Sequence, residues 1–186
     1  ALMDSQVMQT GLVHRKHRGT IRHTALYGSS LQLRRIMLNL MSNSVKYNKP
    51  NGTIDTYATE ISDDGETALY EFRIVDSGIG MSREFIENEL FKPFTQEEND
   101  ARTQYRGTGL GMSIVKALID RLGGTIKVES TLGEGTDITY QLLFKIDKNA
   151  SEQSESQNCA GEKNLEGMKI LLVEDNEINM EIAEFY

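Results

Sequence analysis

Between the punctuation Gly28-Ser29-Ser30 and the turn-like Lys49-Pro50-Asn51-Gly52, one long segment carries apolar residues at helical spacing. Leu33, Ile36, Met37, Leu40, Met41, Ser44 and Val45 sweep one broad face of a helix predicted from about Leu31 to Tyr47. The serines offer an N-cap. Pro50 cannot continue the helix, and Asn51-Gly52 tolerates the positive φ of a turn. So wide an apolar face must be buried, and the rest of the chain has to supply the layer it packs on. At about 100° per residue, Asn39, Asn43 and Lys46 fall together on one edge of that face, with Tyr47 beside Asn43. Two asparagines one turn apart would by themselves read as a solvated flank. With a lysine one turn on and an aromatic neighbour, the group suits a ligand. A neutral amide oxygen can ligate Mg²⁺ beside phosphates, and a lysine can reach those phosphates as a point charge.

The covering layer is legible as two strand pairs. Thr53–Ile61 and Thr67–Val75 read as a hairpin around Ser62-Asp63-Asp64-Gly65-Glu66, and Thr125–Thr131 and Thr136–Phe144 as a second around Leu132-Gly133-Glu134-Gly135. Between them lie a short predicted helix, Arg83–Phe91, and the polar stretch Thr95–Gly107. A second long helix follows from about Leu110 to Leu122, ended by Gly123-Gly124. Upstream, residues 2–13 have loosely helical spacing and Thr20–Tyr27 reads as a strand.

Two further segments have the chemistry of a nucleotide site. Val75-Asp76-Ser77-Gly78-Ile79-Gly80 stands at a strand end. An ionised Asp76 only accepts hydrogen bonds, which suits the exocyclic amine of adenine and rejects guanine's carbonyl there. Gly78 and Gly80 let a flat base approach the backbone, although Asp-Ser-Gly alone is a common turn string. Gly107-Thr108-Gly109-Leu110-Gly111 leads into a helix N-terminus, where free N–H groups and the helix dipole favour phosphate. Arg102 and Arg106 lie just upstream; they read either as γ-phosphate ligands or as solvated side chains. The spacing is neither a Rossmann fingerprint nor a Walker loop, since no Gly-Lys pair occurs. With 28 Asp+Glu against 20 Lys+Arg, the net charge of −8 argues against non-specific nucleic-acid binding, so a phosphate ligand needs such local donors.

In this order the segments resemble the ATP-binding domain of sensor histidine kinases, in the superfamily that also holds type II topoisomerases and MutL-type repair proteins. Leu38–Lys46 looks like the family's N box, Asp76–Gly80 like its first glycine box and Phe91-Lys92-Pro93-Phe94 like its F box. Gly107–Gly111 looks like its second glycine box and Gly133–Thr136 like its last glycine-threonine turn. The resemblance implies a two-layer α/β sandwich of the Bergerat type, a mixed sheet with helices on one face, spanning residues 1–146. It implies ATP and Mg²⁺ as ligands: Asn43 on the metal with Asn39 lining the site, Lys46, Tyr47 and Arg106 on phosphates, and Asp76 on adenine. Gly78 and Gly80 would flank the base. Gly107, Thr108, Gly109, Leu110 and Gly111 would cradle phosphates, Thr136 would support the adenine end, and residues 95–106 would form a closing lid.

From Asp147 to Glu166 the composition turns to Ser, Glu, Gln, Asn and Gly, as in a flexible linker. Met168–Asn176 resembles the start of a response-receiver domain (residues 167–186), which implies Glu174 and Asp175 as Mg²⁺ ligands. Together these imply a hybrid kinase in a two-component phosphorelay, cut at both ends, with a dimerising phosphoacceptor helical domain and a receiver as partners. The parent protein is then expected to be a homodimer and this piece a monomer. None of His14, His17 and His23 sits in an acceptor-type context, so the chain is expected to phosphorylate a histidine outside itself. A single cysteine, Cys159, and the lack of any long apolar run fit a reducing, cytoplasmic setting, with any membrane anchor elsewhere in the parent protein. The alternatives are a degenerate, nucleotide-sensing module without transfer and, less well supported, a topoisomerase-like ATPase.

Overall fold

The computed structural model describes residues 10–97 and 108–149. Its strands are β1 (Val13–Arg18), β2 (Leu26–Tyr27), β3 (Thr53–Asp63), β4 (Thr67–Asp76), β5 (Thr125–Thr131) and β6 (Gly135–Ile146), and its helices α1 (Ser30–Lys46), α2 (Arg83–Asn88) and α3 (Gly111–Arg121). They build one mixed sheet in the order β1-β3-β4-β6-β2, with β5 also paired to β6. Among the described residues only β1 and β3 run parallel; the remaining pairs are antiparallel.

Strand alternation puts Ala68, Tyr70, Phe72 and Ile74 of β4 on one face, opposite Phe144, Leu142, Tyr140 and Ile138 of β6. On this face lie α1, through fully buried Ile36 and Leu40, and α3, through Val115 and Ile119. Each such side chain contributes about 1.5–3 kcal/mol relative to exposure. The opposite face is polar, with Arg73 paired to Asp137, Gln141 donating to Glu71, and Tyr57 stacked on His17. The two-layer architecture expected from the sequence is therefore the one observed.

Helix boundaries follow local chemistry. Ser29 caps α1 by accepting from the Gln32 amide at 3.3 Å, and a turn closed by Gly52 N–H on Lys49 O follows it, with Asn51 at φ 58°. α3 ends where Gly123 adopts φ 69° and the Gly124 amide bonds Ile119 O. α2 is shorter than expected and stops at Asn88.

Two expectations fail near the amino end. Val13–Arg18 forms an edge strand that the sequence hid, because its six residues include five basic or imidazole side chains and no alternation. Residues 10–12 show no helix, and the rest of the segment expected to be helical lies outside the described residues. Residues 20–25 are not a strand, although Thr20 O accepts the Glu60 amide at 2.9 Å; the strand is limited to Leu26–Tyr27. The reason is Glu60, which takes the amides of Arg22 and His23 at 2.7 and 2.9 Å and so draws them out of any ladder. The carboxylate also meets His23 Nδ1, at 2.9 Å, and the Tyr70 hydroxyl. His23, Glu60 and Asp63 group closely, but Arg22 already bridges the two carboxylates, so the cluster is a latch for this segment. The expected linker and receiver start, Glu174 and Asp175 included, lie outside the described residues apart from 147–149. No helix among the described residues is long and apolar enough to cross a membrane.

Candidate functional site

The C-terminal half of α1 faces the N-terminus of α3 across a cleft of about 250 Å³. Asn39, Asn43, Lys46 and Tyr47 line it from α1 and its cap, Asp76 from the end of β4, Gly80 from the following loop, Thr108, Gly109 and Gly111 from the approach to α3, and Thr136 from β6. Of the residues singled out from sequence, Gly78 and Leu110 do not line the cleft, while Arg106 and Gly107 lie outside the described residues. Gly78 instead braces the site, donating its amide to Asp76 Oδ1 at 3.0 Å. Leu110 is the N-cap position of α3, without a side-chain cap, and its carbonyl accepts the helix's Ile114 amide.

The two amides of α1 and the start of α3 approach closely. A methyl group added at Gly111 would stand 3.3 Å from Asn39 Oδ1 and 3.7 Å from Asn43 Nδ2. Amide oxygens therefore sit beside the free N–H groups of a helix start, a combination that suits an anion with its counter-cation. Lys46 Nζ lies 4.8 Å from the Tyr47 ring centroid, which holds the cation at the rim.

Asp76 is fixed from three sides. Its Oδ2 accepts from the Ser44 hydroxyl at 3.0 Å, its Oδ1 from Gly78 N–H, and its backbone pairs in register with Thr136. Burial raises the Asp76 pKa above the usual carboxylate value, and the bonds from Gly78, Ser44 and the Thr136 backbone oppose that rise. The Asp76–Gly80 loop is itself pinned. Ile79 N–H bonds Tyr47 O at 3.0 Å, Gly133 N–H bonds Ile79 O at 2.8 Å, and Met81 N–H bonds Ser130 Oγ at 2.9 Å. Gly80 has φ 66° and passes so near Thr131 that a Cβ would lie 1.9 Å from its carbonyl oxygen, so no larger residue fits.

Sequence reasoning missed the apolar walls. Met81, Phe85, Leu90, Met112 and Ile138 line the same cleft and give it flat, greasy sides around the Asp76 carboxylate. Leu90 and Ile138 are buried, and in the sequence they look like any core residue. The only available signal was that Ile138 follows Thr136 on the helix-facing side of β6. The three histidines are held away from these groups, His14 on Thr56, His17 on Asp55 and His23 on Glu60, all on β3.

Residues 28–146 match the family described as histidine kinase-, DNA gyrase B-, and HSP90-like ATPase. The chain is 34% identical over 164 residues to the autoinducer 2 sensor kinase/phosphatase LuxQ of Vibrio vulnificus, covering 87% of this chain and 19% of that protein. It is 36% identical over 160 residues to the sensor protein GacS of Pseudomonas syringae pv. syringae, covering 86% and 17%. The chain thus spans about a fifth of the length of the curated relatives it matches. Among solved structures it is similar to full-length ShkA in complex with AMPPNP, with TM-score 0.63, 26% identity, and coverage of 78% of this chain and 28% of that one. The mycobacterial sensor histidine kinase MprB shares the fold, with TM-score 0.61, 22% identity, and coverage of 78% and 91%.

Proposed function

The chain belongs to the histidine kinase-, DNA gyrase B- and HSP90-like ATPase family, as a histidine kinase ATP-binding domain, and on that premise we propose that its cleft takes Mg-ATP and delivers the γ-phosphoryl to a histidine on a separate helical domain. One observation carries this reading: Asn43, Asp76, Gly109 and Gly111, from segments far apart in sequence, line one cleft with apolar walls. The relatives are sensor kinases, so the parent protein is read as a hybrid kinase with a dimerising acceptor domain and a receiver.

In this reading Asp76 accepts from the 6-amino group of adenine while Met81, Leu90, Met112 and Ile138 sandwich the base. Thr136, tied to Ser130 at 3.0 Å, braces that end. The first N–H groups of α3, with Thr108 and Gly109, take the phosphates, and Lys46 adds a point charge. Arg106 and Gly107, next along the chain, are assigned to the γ-phosphate end. The donor set fits Mg²⁺, because a neutral Asn43 amide with Asn39 beside it leaves the anionic ligands to the phosphates. The ion's contribution there is to offset phosphate charge. The protein's share of catalysis is then positioning and preorganised charge around the transferring group, with no protein nucleophile of its own. As an imidazole N–P bond forms on the acceptor, the bond from the γ-phosphorus to the β–γ bridging oxygen breaks and ADP leaves.

The test is to supply a histidine-bearing acceptor domain in trans with γ-labelled ATP. Label is expected on its histidine and should be lost with Asn43→Ala. ATP binding without transfer would replace the kinase by a nucleotide-sensing module.

A further inference from the structure

α1 presents a hydroxyl at a place where its fold asks for none. Ser44 is buried at 3% exposure, on the helix face otherwise filled by Ile36, Leu40 and Met41. Serine is a poorer helix former than alanine, and a buried hydroxyl costs stability unless it is bonded. Local stability alone would favour alanine here. The bond the Ser44 hydroxyl makes is to Asp76 Oδ2, at 3.0 Å.

That bond has a chemical consequence for the cleft, which both residues line. A serine hydroxyl has one proton, and here it is committed to the carboxylate. Ser44 therefore turns only lone pairs toward the cleft. Ionised Asp76 likewise only accepts, and with Gly78 N–H on Oδ1 and Ser44 on Oδ2 its carboxylate plane cannot rotate. The floor of the base pocket is thus an acceptor-only surface, complementary to an exocyclic amine and repulsive to a carbonyl. Building on the ATP reading above, we propose that Ser44 is a positioning residue that holds Asp76 for the 6-amino group and so sets the preference for 6-aminopurine over 6-oxopurine nucleotides. α1 would then read the base through Ser44 and the phosphate-bound Mg²⁺ through its neighbour Asn43.

The experiment uses the full chain and three probes, namely Mg-ATP, the purine riboside triphosphate that lacks only the 6-amino group, and inosine triphosphate. Affinities are measured by titration calorimetry for wild type, Ser44→Ala and Ser44→Cys, with circular dichroism to verify folding. Removing a hydrogen bond to a charged group is expected to weaken ATP by about tenfold. The purine riboside triphosphate should be unaffected, since nothing on it engages Asp76, and the discrimination against inosine triphosphate should shrink. Ser44→Cys, a weaker donor of similar size, should fall between. Equal losses on ATP and the purine riboside triphosphate, or no loss on ATP, would overturn the role of Ser44. A wild-type chain that binds neither nucleotide, or both alike, would bring down the adenine reading itself and this inference with it.

Discussion

The amide of Phe94 donates to the carbonyl of Gly109 at 3.0 Å, and both residues hold positive φ, 64° and 68°. This bond ties the departure and return of the segment between them, beside the start of α3. A Cβ on Gly109 would lie 2.7 Å from the Phe94 carbonyl carbon, so Gly109→Ala combines left-handed strain with a backbone clash. The strain alone is about 1 kcal/mol, and the clash displaces the cleft-lining Thr108 and Gly109. The expected result is an ATP affinity at least about tenfold lower with a modest fall in melting temperature. Calorimetry and thermal unfolding on the same sample check it, and unchanged affinity would detach this neck from the site.

Asn43→Ala removes the amide next to Gly111 without touching the core, because Asn43 is only partly buried. Mg²⁺-dependent nucleotide affinity is expected to fall by about 100-fold, ~2.8 kcal/mol. The melting temperature without nucleotide should stay close to wild type. Titration with and without Mg²⁺ measures both effects, and an undiminished Mg²⁺ dependence would remove Asn43 from the metal.

Asp76→Asn should separate stability from binding. Burial raises the Asp76 pKa in the folded chain above its ordinary 3.8, so the folded state holds the proton more tightly than the unfolded chain does. As pH rises through that window the ionised carboxylate makes folding less favourable. The amide variant is therefore expected to melt higher than wild type at neutral pH, an advantage that vanishes at and below about pH 4. It should also lose the preference for ATP over the purine riboside triphosphate. Melting curves across pH and competitive binding test the two halves; a variant less stable at pH 7 than at pH 4, relative to wild type, contradicts the sign.

Glu60 runs the opposite way. Burial would raise its pKa, but the His23 and Arg22 amides and the His23 ring outweigh burial and hold it at about 2, against an ordinary 4.5. Its contribution is present above pH 4.5 and is lost as pH falls toward 2. Glu60→Gln is expected to lower the melting temperature at pH 7, with the difference shrinking through that window. Amide hydrogen exchange at residues 22 and 23 should quicken, while ATP affinity stays put.

What could be read before any coordinates was what breaks a pattern. Asn39, Asn43 and Lys46 interrupt an apolar helix face at its edge, Asp76 is a charge at a strand end, and the glycines stand where turns are needed. Each is odd on local grounds, so each was visible. Ser44 was not, because in the periodicity it sits inside the apolar arc, and its role depends on Asp76, which only the β3–β4 hairpin brings near. Met81, Leu90, Met112 and Ile138 were hidden for the converse reason: an apolar residue facing a cleft and one facing a core look alike in sequence. β1 escaped because an exposed edge strand needs no alternation, and its pairing with β3 is a long-range choice that no local signal records.

The placement of Asn39, Asn43, Ser44 and Lys46 on a single helix also makes α1 a ruler. At 1.5 Å per residue the rod fixes how far apart its graduations lie, with about 10 Å from Asn39 to Lys46, and it can neither stretch nor shorten without breaking backbone bonds. The cleft residues it carries, Asn39, Asn43 and Lys46, therefore keep fixed axial spacings whatever binds between them.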